Sequence, residues 1–423
     1  MSALTETVSV APPRPAQGAM PGEAFTGHRY LQLVLILGSL ATLGPLTIDT
    51  YLPALPTLTA QLGATDSEAQ LTLTGLLLGI GLGQLVIGPI SDTVGRRRPL
   101  IIGLAAHAAM SVLCALAPTI EIFTATRVLQ GLAGAAVAVV RMAMVRDLFT
   151  GLRAAQLLSR LVLVLGVAPI LAPSLGSALL EITSWRGIFV FVALGAVALL
   201  LVAVRALPET LPPARRRVAS ASGSARAYLR VLADPVFIGM VLVASLVFSA
   251  IFGYVAGSSF VLQGQFGMSP AEFGVAFAAN AAGMILMTQV NPLLVRRWGP
   301  ARILRSGVLV SLLGTSALVL TSLTTFGGLV GFVVPMWVAM AGFGLSMPNA
   351  PALALSRHGE AAGTAAAVLG AAQFGIGGLT SPLVGLLGDG TALPMASIMA
   401  TAMVIATLIL FGVRKQLAAQ PVD

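Results

Sequence analysis

Twelve long apolar runs divide this sequence and limit it to very few folds. Each run is close to the roughly 20 residues that a helix needs to cross the hydrocarbon of a bilayer. The runs are continuously apolar, whereas strands of a membrane barrel alternate between apolar and polar residues. They predict an all-α polytopic membrane protein with twelve spans, numbered 1 to 12. The spans lie at residues 30–53, 68–90, 99–118, 122–145, 156–180, 187–206, 235–262, 271–294, 302–323, 326–348, 361–388 and 392–413.

The composition excludes several classes of protein. Of the 423 residues, 57% are hydrophobic and 9% are charged, whereas soluble domains carry about 25% charged residues. A soluble enzyme and a disordered scaffold are therefore excluded. The single cysteine, Cys114, cannot form an internal bridge, which excludes a disulfide-stapled secreted protein. No P-loop and no cluster of metal ligands is found, so we expect no enzyme activity, no metal and no other cofactor.

The basic residues indicate how the chain is oriented. A net charge of +9 would suggest nucleic-acid binding in a soluble protein. Here 21 of the 24 basic residues lie in even-numbered loops or near the chain ends, the exceptions being Arg127, Arg141 and Arg186. The positive-inside rule then places both termini and the even loops in the cytoplasm. The sequence predicts a multi-pass protein of the cytoplasmic (inner) membrane that does not bind nucleic acid.

The polar segments predict the domain organisation. The first 27 residues lack the charged start, apolar core and cleavage site of a signal peptide. A polar, arginine-rich segment separates the spans into two sets of six. The predicted units are a disordered cytoplasmic tail (1–29), a six-helix bundle (30–206), a cytoplasmic linker (207–234), a second six-helix bundle (235–414) and a cytoplasmic tail (415–423).

Several motifs resemble those of a known transporter superfamily. The segment Gly88-Pro-Ile-Ser-Asp-Thr-Val-Gly-Arg-Arg resembles the Gly-x-x-x-Asp-x-x-Gly-Arg-Arg loop of the major facilitator superfamily. Arg127-Val-Leu-Gln-Gly and Gly166-Val-Ala-Pro-Ile-Leu-Ala-Pro-Ser-Leu-Gly resemble motifs of its proton-coupled drug exporters. Ile48-Asp-Thr-Tyr-Leu-Pro and Val145-Arg-Asp-Leu-Phe are similar to the bicyclomycin and chloramphenicol resistance (Bcr/CflA) branch.

This resemblance implies the major facilitator fold, in which two six-helix bundles enclose the substrate. It also implies proton-coupled efflux of drugs or other amphipathic small molecules by alternating access. The implied partners are protons, the lipid bilayer and a small-molecule substrate, an apolar or cationic drug, and the chain is expected to function as a monomer without a cofactor. Two alternatives stay open here, a proton-coupled carrier of an endogenous metabolite and a non-transporting membrane receptor.

Two ionisable residues lie inside the predicted first and fourth spans. Asp49 is four residues before Pro53, and Arg127 is six residues into span 4, so their depths from the outer end match at about 1.5 Å per residue. A carboxylate within a membrane is costly unless it is paired, protonated or hydrated. We therefore predict that Asp49 and Arg127 face each other and couple proton binding to transport. The alternative is a permanent structural ion pair or a hydrogen-bonded cap.

Span 4 carries further polar residues on the same side. At about 100° per residue, Arg127, Gln130, Gly134 and Arg141 fall within about 60° of one another. This pattern predicts a polar stripe facing the cavity, with Gln130 and Arg141 as its additional members. Close helix packing is the alternative, and it accounts for the glycine but not for two arginines.

The loop after span 2 is predicted to form an inner gate. Gly88 and Gly95 permit close approach and a tight turn, and Asp92 can accept hydrogen bonds from arginine or from a helix N-terminus. The candidate partners of Asp92 are Arg146 and the start of span 11, and the gate also includes Arg96 and Arg97. The alternative is that the arginines only fix the topology.

Span 5 carries prolines and glycines that predict a kinked, closely packed helix at the interface between the halves. These residues are Gly166, Pro169, Pro173 and Gly176, and Ser177 replaces the second glycine that the related motif usually has. Generic packing of membrane helices, which also favours glycine, is the alternative.

The second half lacks any charge in the middle of a span. Its polar, aromatic and methionine residues are therefore the candidates for an apolar substrate cavity, because such side chains suit promiscuous ligands. Core filling is the alternative for each of them. The predicted cavity residues are Tyr254, Asn280, Met284, Gln289 and Met336.

Overall fold

The computed structural model describes residues 27–149, 151–216, 228–358, 361–388 and 390–418. These residues contain no β-strand, and twelve long helices, α1 to α12, correspond to spans 1 to 12. Parts of the predicted tails and linker, at 1–26, 217–227 and 419–423, lie outside the described residues. The helices are α1 (Gly27–Asp49), α2 (Asp66–Val94), α3 (Arg97–Leu116), α4 (Ile120–Leu148), α5 (Gly151–Ile182), α6 (Trp185–Ala206), α7 (Pro235–Ser259), α8 (Pro270–Trp298), α9 (Pro300–Thr324), α10 (Gly328–Leu355), α11 (Ala362–Leu386) and α12 (Leu393–Ala418).

These helices have the length and composition of membrane spans. Within the described ranges, eleven helical segments are long and apolar enough to cross a membrane, and α5 contributes the shorter apolar stretch Val167–Ile182. The prediction of an all-α polytopic membrane protein is confirmed. We call the end of the bundle where α1 begins and α12 ends the proximal end, and the opposite end the distal end.

Helices α2 and α8 begin with the same capping arrangement. Thr65 Oγ1 accepts a hydrogen bond from the backbone N–H of Glu68 (3.2 Å), and the backbone N–H of Thr65 donates to Glu68 Oε2 (2.8 Å). Ser269 and Glu272 form the same pair of bonds at the start of α8, at 3.3 and 2.8 Å. Such a capping box satisfies two of the free groups at a helix N-terminus. The second helix of each half is therefore initiated in the same way.

The two helices also end alike. Each is 29 residues long and is followed by a glycine with positive φ, Gly95 at 96° and Gly299 at 76°. Positive φ strains any residue with a Cβ, so glycine is favoured at both turns. The two halves thus repeat one helix with the same start, length and end.

The first span differs from its prediction. A continuous helix over 30–53 was expected, but α1 ends at Asp49 and is followed by a 3₁₀ turn, Leu52–Ala54, and a short helix, Leu55–Gln61. Pro53 causes this difference, because it lacks an N–H and disfavours the α conformation at the residue before it. The break places Asp49 at a helix end instead of within a helix.

Small residues let matching helix pairs approach closely in both halves. A Cβ added to Gly131 of α4 would overlap the carbonyl oxygen of Leu76 in α2. In the second half, a Cβ added to Gly344 of α10 would overlap the carbonyl oxygen of Met284 in α8. Close approach at small residues is a main source of helix association in membranes.

The two halves are joined by hydrogen bonds at the distal side. Helix α2 packs along α11, and α5 packs against α8. Five hydrogen bonds between described residues of the two halves lie in the distal part of the bundle. They are Thr74 Oγ1 to Gly378 O (2.8 Å), Gly385 N to Gln70 Oε1 (2.8 Å), Ser177 Oγ to Pro270 O (2.6 Å), Ser259 Oγ to Leu52 O (2.6 Å) and Gln263 Nε2 to Pro53 O (3.2 Å).

Candidate functional site

Arg127 is the centre of a buried polar network in the first half. Its side chain is fully buried, at 0% exposure. Nη1 donates to Gln130 Oε1 (2.8 Å) and to the carbonyl oxygen of Thr47 (3.2 Å), and the guanidinium lies 4.4 Å from the ring centre of Tyr51. Nε and Nη2 have no hydrogen-bond partner among the described residues. Arg127 therefore keeps donors that a carboxylate or a substrate could use.

Asp49 lies beside this network without joining it. Thr47 and Tyr51, which both contact Arg127, flank Asp49 in the chain, and Asp49 itself is 6% exposed. No described residue forms an ion pair or a hydrogen bond with its carboxylate, so the predicted pair of Asp49 and Arg127 is not formed in this structure. Arg127 instead directs Nη1 at Thr47 O and at Gln130.

His107 joins α1 to α4 and was missed as a member of the site. Its Nε2 lies 3.1 Å from Thr47 Oγ1, and its Nδ1 lies 3.3 Å from the carbonyl oxygen of Gln130. Ser111, one turn further along α3, accepts a hydrogen bond from Gln130 Nε2 at 2.7 Å. Three helices thus hold Arg127 in place. A histidine and a serine four residues apart in an apolar span were the signal that could have indicated this.

The predicted stripe of α4 is divided in the structure. Gln130 bonds to Arg127, and Gly134 provides space beside the His107 ring. Arg141 is also buried, but its Nε and Nη1 have no hydrogen-bond partner in the described part of the chain. Arg141 is about three turns closer to the proximal end than Gln130, too far for direct contact at about 1.5 Å per residue.

Gly176 of α5 packs against the break in α1, and the next residue, Ser177, bonds to the second half. A Cβ added to Gly176 would overlap the carbonyl oxygen of Thr50, the residue after Asp49. Ser177 bonds across the halves to Pro270 O. The helix is continuous through Pro169 and Pro173, while the surroundings of Gly166 lie outside the described residues.

The predicted inner gate has different partners from those expected. Asp92 forms an ion pair with Arg96 (2.6 Å), and Arg96 Nε reaches Asp147 at the end of α4 (2.8 Å). Arg146, the expected partner, is exposed. Neighbouring residues of a helix point about 100° apart, so Asp147 faces the loop and Arg146 does not. The start of α11 forms no bond with this cluster among the described residues.

Glu209, which the sequence analysis missed, anchors the linker to this loop. Its carboxylate accepts hydrogen bonds from the backbone N–H groups of Arg96 (2.8 Å), Arg97 (3.2 Å) and Leu211 (3.0 Å). Burial opposes the charge of Glu209, but these bonds and the nearby Arg216 outweigh it and hold the pKa below its usual value. The Glu209 carboxylate caps the N-terminus of α3, where a negative charge is favoured.

The two predicted glycines of the gate differ in role. The positive φ of Gly95 and the Glu209 carboxylate beside it leave no space for a side chain. Nothing lies within 4 Å of a Cβ added to Gly88, so no close approach requires a glycine there in this structure. Arg97 also turns away from Asp92 and donates to Val204 O at 2.6 Å.

The candidates in the second half are only partly together. Asn280 Nδ2 donates to the Tyr254 hydroxyl (3.1 Å), and the Tyr254 ring stacks on Phe277 with centroids 5.2 Å apart. Met336 is fully buried and Met284 half-buried in the same apolar core. Gln289 is exposed, because nine residues of helix turn it about 180° away from Asn280. It does not share a site with the others.

Comparison with known proteins identifies the family. The family model of the Major Facilitator Superfamily matches residues 37–382. The chain belongs to this superfamily. The resemblance to it inferred from the motifs is confirmed, and the twelve-span fold class is confirmed with it.

Relatives of this facilitator include transporters and resistance proteins. YdgK of Bacillus subtilis, named as an uncharacterized MFS-type transporter, is 37% identical over 402 residues, which are 93% of this chain and 98% of YdgK. A bicyclomycin resistance protein homolog of Haemophilus influenzae is 30% identical, with 89% and 94% of the two chains covered. A chloramphenicol resistance protein of Pseudomonas aeruginosa is 32% identical, with 84% and 83% covered.

Solved structures show the same fold. The xylose transporter XylE from E. coli, in a partially occluded inward open conformation, superposes with a TM-score of 0.70 at 16% identity, covering 90% of this chain and 97% of XylE. The facilitator is a multi-pass membrane transporter of small molecules, with relatives in multidrug and antibiotic resistance. The prediction that it is not an enzyme is confirmed by these relatives and neighbours.

Proposed function

We propose that this facilitator exports drugs or other amphipathic small molecules across the cytoplasmic membrane in exchange for protons. The observation that carries the proposal is Asp49, a buried carboxylate at the break of α1 without an ion pair or hydrogen bond from the described residues. The names of the bicyclomycin and chloramphenicol resistance relatives support drugs as the substrate class.

The proton is held by Asp49 in this proposal. A charged carboxylate is costly in a water-poor membrane interior unless it is paired, so an unpaired Asp49 carries a proton. Arg127 retains two N–H groups without partners and lies over Tyr51, two residues from Asp49 in the chain. A movement of α1 that brings the carboxylate to these donors, or to water, would release the proton.

The positions of the hydrogen bonds between the halves support alternating access. The distal hydrogen bonds between the halves, such as Ser259 to Leu52 and Ser177 to Pro270, close that end. Among the described residues, the Asp92 cluster at the proximal end bonds within the first half and to Glu209 of the linker, and not to the second half. We assign this arrangement to the state open to the cytoplasm, with both chain termini on that side and with a monomer as the working unit.

The test is transport in proteoliposomes with an imposed pH gradient. Radiolabelled chloramphenicol and tetraphenylphosphonium are the probes, and proton movement is followed with an internal pH dye. We expect either probe to move against its concentration gradient while protons move the other way. Movement of probe and protons in the same direction would indicate an uptake carrier, and no flux of either probe under any gradient would favour the receptor.

Asp49→Asn tests the proton site. The amide keeps the shape of the side chain but cannot release a proton, so active transport should fall to background while downhill exchange of probe persists. Asp66→Asn is the matched control, because Asp66 lies at the distal start of α2, away from Arg127. Retained active transport in Asp49→Asn, with the control also active, would overturn the assignment.

A further inference from the structure

A cavity at the proximal end of the first half belongs neither to the Arg127 network nor to the interface between the halves. Its volume is about 640 Å³, and it lies between the beginning of α1, the beginning of α3 and the end of α6. Leu33 and Ile36 of α1 form its apolar wall, and Arg97 and Arg205 contribute its two guanidinium groups. It combines an apolar side with a cationic side.

The charge of this cavity is positive despite the presence of Glu209. The Glu209 carboxylate is already bonded to three backbone N–H groups, with Arg216 at 3.9 Å. Arg97 uses Nη2 on Val204 O, while its Nε is buried without a partner among the described residues. Arg205 is exposed in the last turn of α6. Two arginines therefore have donors free for an anion.

The level of the cavity in the bundle identifies the kind of anion. Arg97 is the first residue of α3 and Arg205 lies one residue before the end of α6, so both mark the point where membrane spans end. Leu35 and Val202 on the adjoining turns are exposed apolar residues, as expected of a surface that faces lipid. Arginine recognises phosphate oxygens well, and basic pockets between helix ends bind lipid head groups.

We propose that this cavity binds the phosphate head group of an anionic phospholipid, with Arg97 and Arg205 as its ligands and the wall of Leu33 and Ile36 against the lipid glycerol and acyl region. The site is independent of the proposed transport mechanism, since neither Asp49 nor Arg127 takes part.

Thermal unfolding of the delipidated, detergent-purified chain measures this binding. Phosphatidylglycerol is titrated in mixed micelles and should raise the unfolding midpoint with saturation, because a ligand that binds only the folded state stabilises it. Phosphatidylcholine with the same acyl chains tests the need for net negative charge, and inorganic phosphate tests a soluble anion. We expect both to produce less than half of the phosphatidylglycerol shift.

Variants test the two arginines. Arg97→Gln with Arg205→Gln should weaken the apparent affinity for phosphatidylglycerol about tenfold. Arg205→Gln alone should weaken it by a smaller factor, and it keeps the Arg97 bond to Val204 and hence the local fold. Arg296→Gln with Arg302→Gln is the control, because it removes the same charge from exposed positions in the other half.

Two results would overturn the proposal. One is an equal phosphatidylglycerol response in the Arg97 and Arg205 double variant and in the Arg296 and Arg302 control. The other is an equal shift with inorganic phosphate at the same concentration, which would assign the cavity to a soluble anion instead of a lipid. In the unsubstituted chain, a lipid response without proton-driven transport of either probe would count against the transport proposal alone.

Discussion

In the first half, α1, α3 and α4 bury Asp49, His107 and Arg127, whereas the second half buries Tyr254 and Asn280 at its candidate site. No charged side chain of the second half is buried among the described residues. A membrane interior tolerates buried charge only where it serves a pathway or is well paired. The proton exchange that we propose would therefore rest on the first half, and we propose neutral, apolar recognition for the second.

The backbones of the two halves do not show this difference. Both second helices start with a capping box, run for 29 residues and end at a glycine with positive φ. Both halves also pack this helix against a glycine two helices later, Gly131 and Gly344. The repeated fold thus constrains packing equally on both sides, while the side chains at the site are free to differ.

The largest expected effect tests the shared packing. Gly131→Val and Gly344→Val should each abolish the folded protein, because a side chain would meet backbone that cannot move without separating two helices. Overpacking of this kind typically costs about 1–3 kcal/mol or more. Yield of monodisperse protein after detergent extraction is the measurement. Gly195→Val is the control, since nothing lies within 4 Å of a Cβ there. A normal yield of either variant would contradict the equivalent packing of the two halves.

The next effect tests the division of chemistry. Arg127→Gln should reduce active transport about a hundredfold, because loss of one member of a buried charged network costs about 3 kcal/mol or more. Asn280→Ala should change transport of individual probes by less than about tenfold, since it removes a single neutral hydrogen bond. Initial rates in the proteoliposome assay decide between these outcomes. Equal losses for the two variants would contradict the assignment.

A smaller effect concerns the bonds between the halves. Ser177→Ala and Ser259→Ala each remove one distal hydrogen bond and should shift the balance toward opening of that end by about 1 kcal/mol, or roughly fivefold. Hydrogen exchange at the distal ends of α2 and α11 should rise accordingly. Ser174→Ala is the control, because its hydroxyl bonds only within α5, to Ile170 O. Unchanged exchange in both variants would show that these bonds do not hold the end closed.

The smallest expected effect concerns the carboxylates at the two ends of the linker, Glu209 and Asp234. Asp234 caps α7 and pairs with Arg357 at 2.8 Å, and although burial opposes its charge, Arg357 and backbone N–H groups hold its pKa below the usual value. A lowered pKa gives stability that is present above the usual value near 3.8 and is lost as the pH falls further.

Asp234→Asn retains the cap and should lower the free energy of unfolding by about 0.5–1 kcal/mol at pH 7 and flatten its fall at acidic pH. Glu209→Gln should flatten the same acidic fall, because the pKa of Glu209 is also lowered by its hydrogen bonds. Chemical unfolding followed at pH 3 to 7 is the measurement. A steeper loss of the free energy of unfolding at acidic pH in either variant would contradict the stabilising role of these contacts.

Much of the site followed from residue type and position, but its contacts did not. Asp49 and Arg127 could be singled out because a charge inside an apolar run is rare. In the structure, Arg127 contacts Thr47, Gln130 and Tyr51 instead of Asp49. The sequence of a single chain does not show which of these contacts forms. Asp147, which was quoted only within a family motif, and Glu209 were given no role, because a carboxylate in a predicted cytoplasmic loop is ordinary until its partners are known.

By itself, the sequence determined the number of spans, their predicted orientation and the superfamily, since these depend on the length of apolar runs, on the placement of arginine and on local motifs. Only the tertiary structure decided which carboxylates meet Arg96 and how Arg97 comes to line a cavity. These features arise from side chains distant in sequence that compete for the same donors. Hydropathy is a property of consecutive residues, whereas the pairing of side chains depends on how all the helices are arranged.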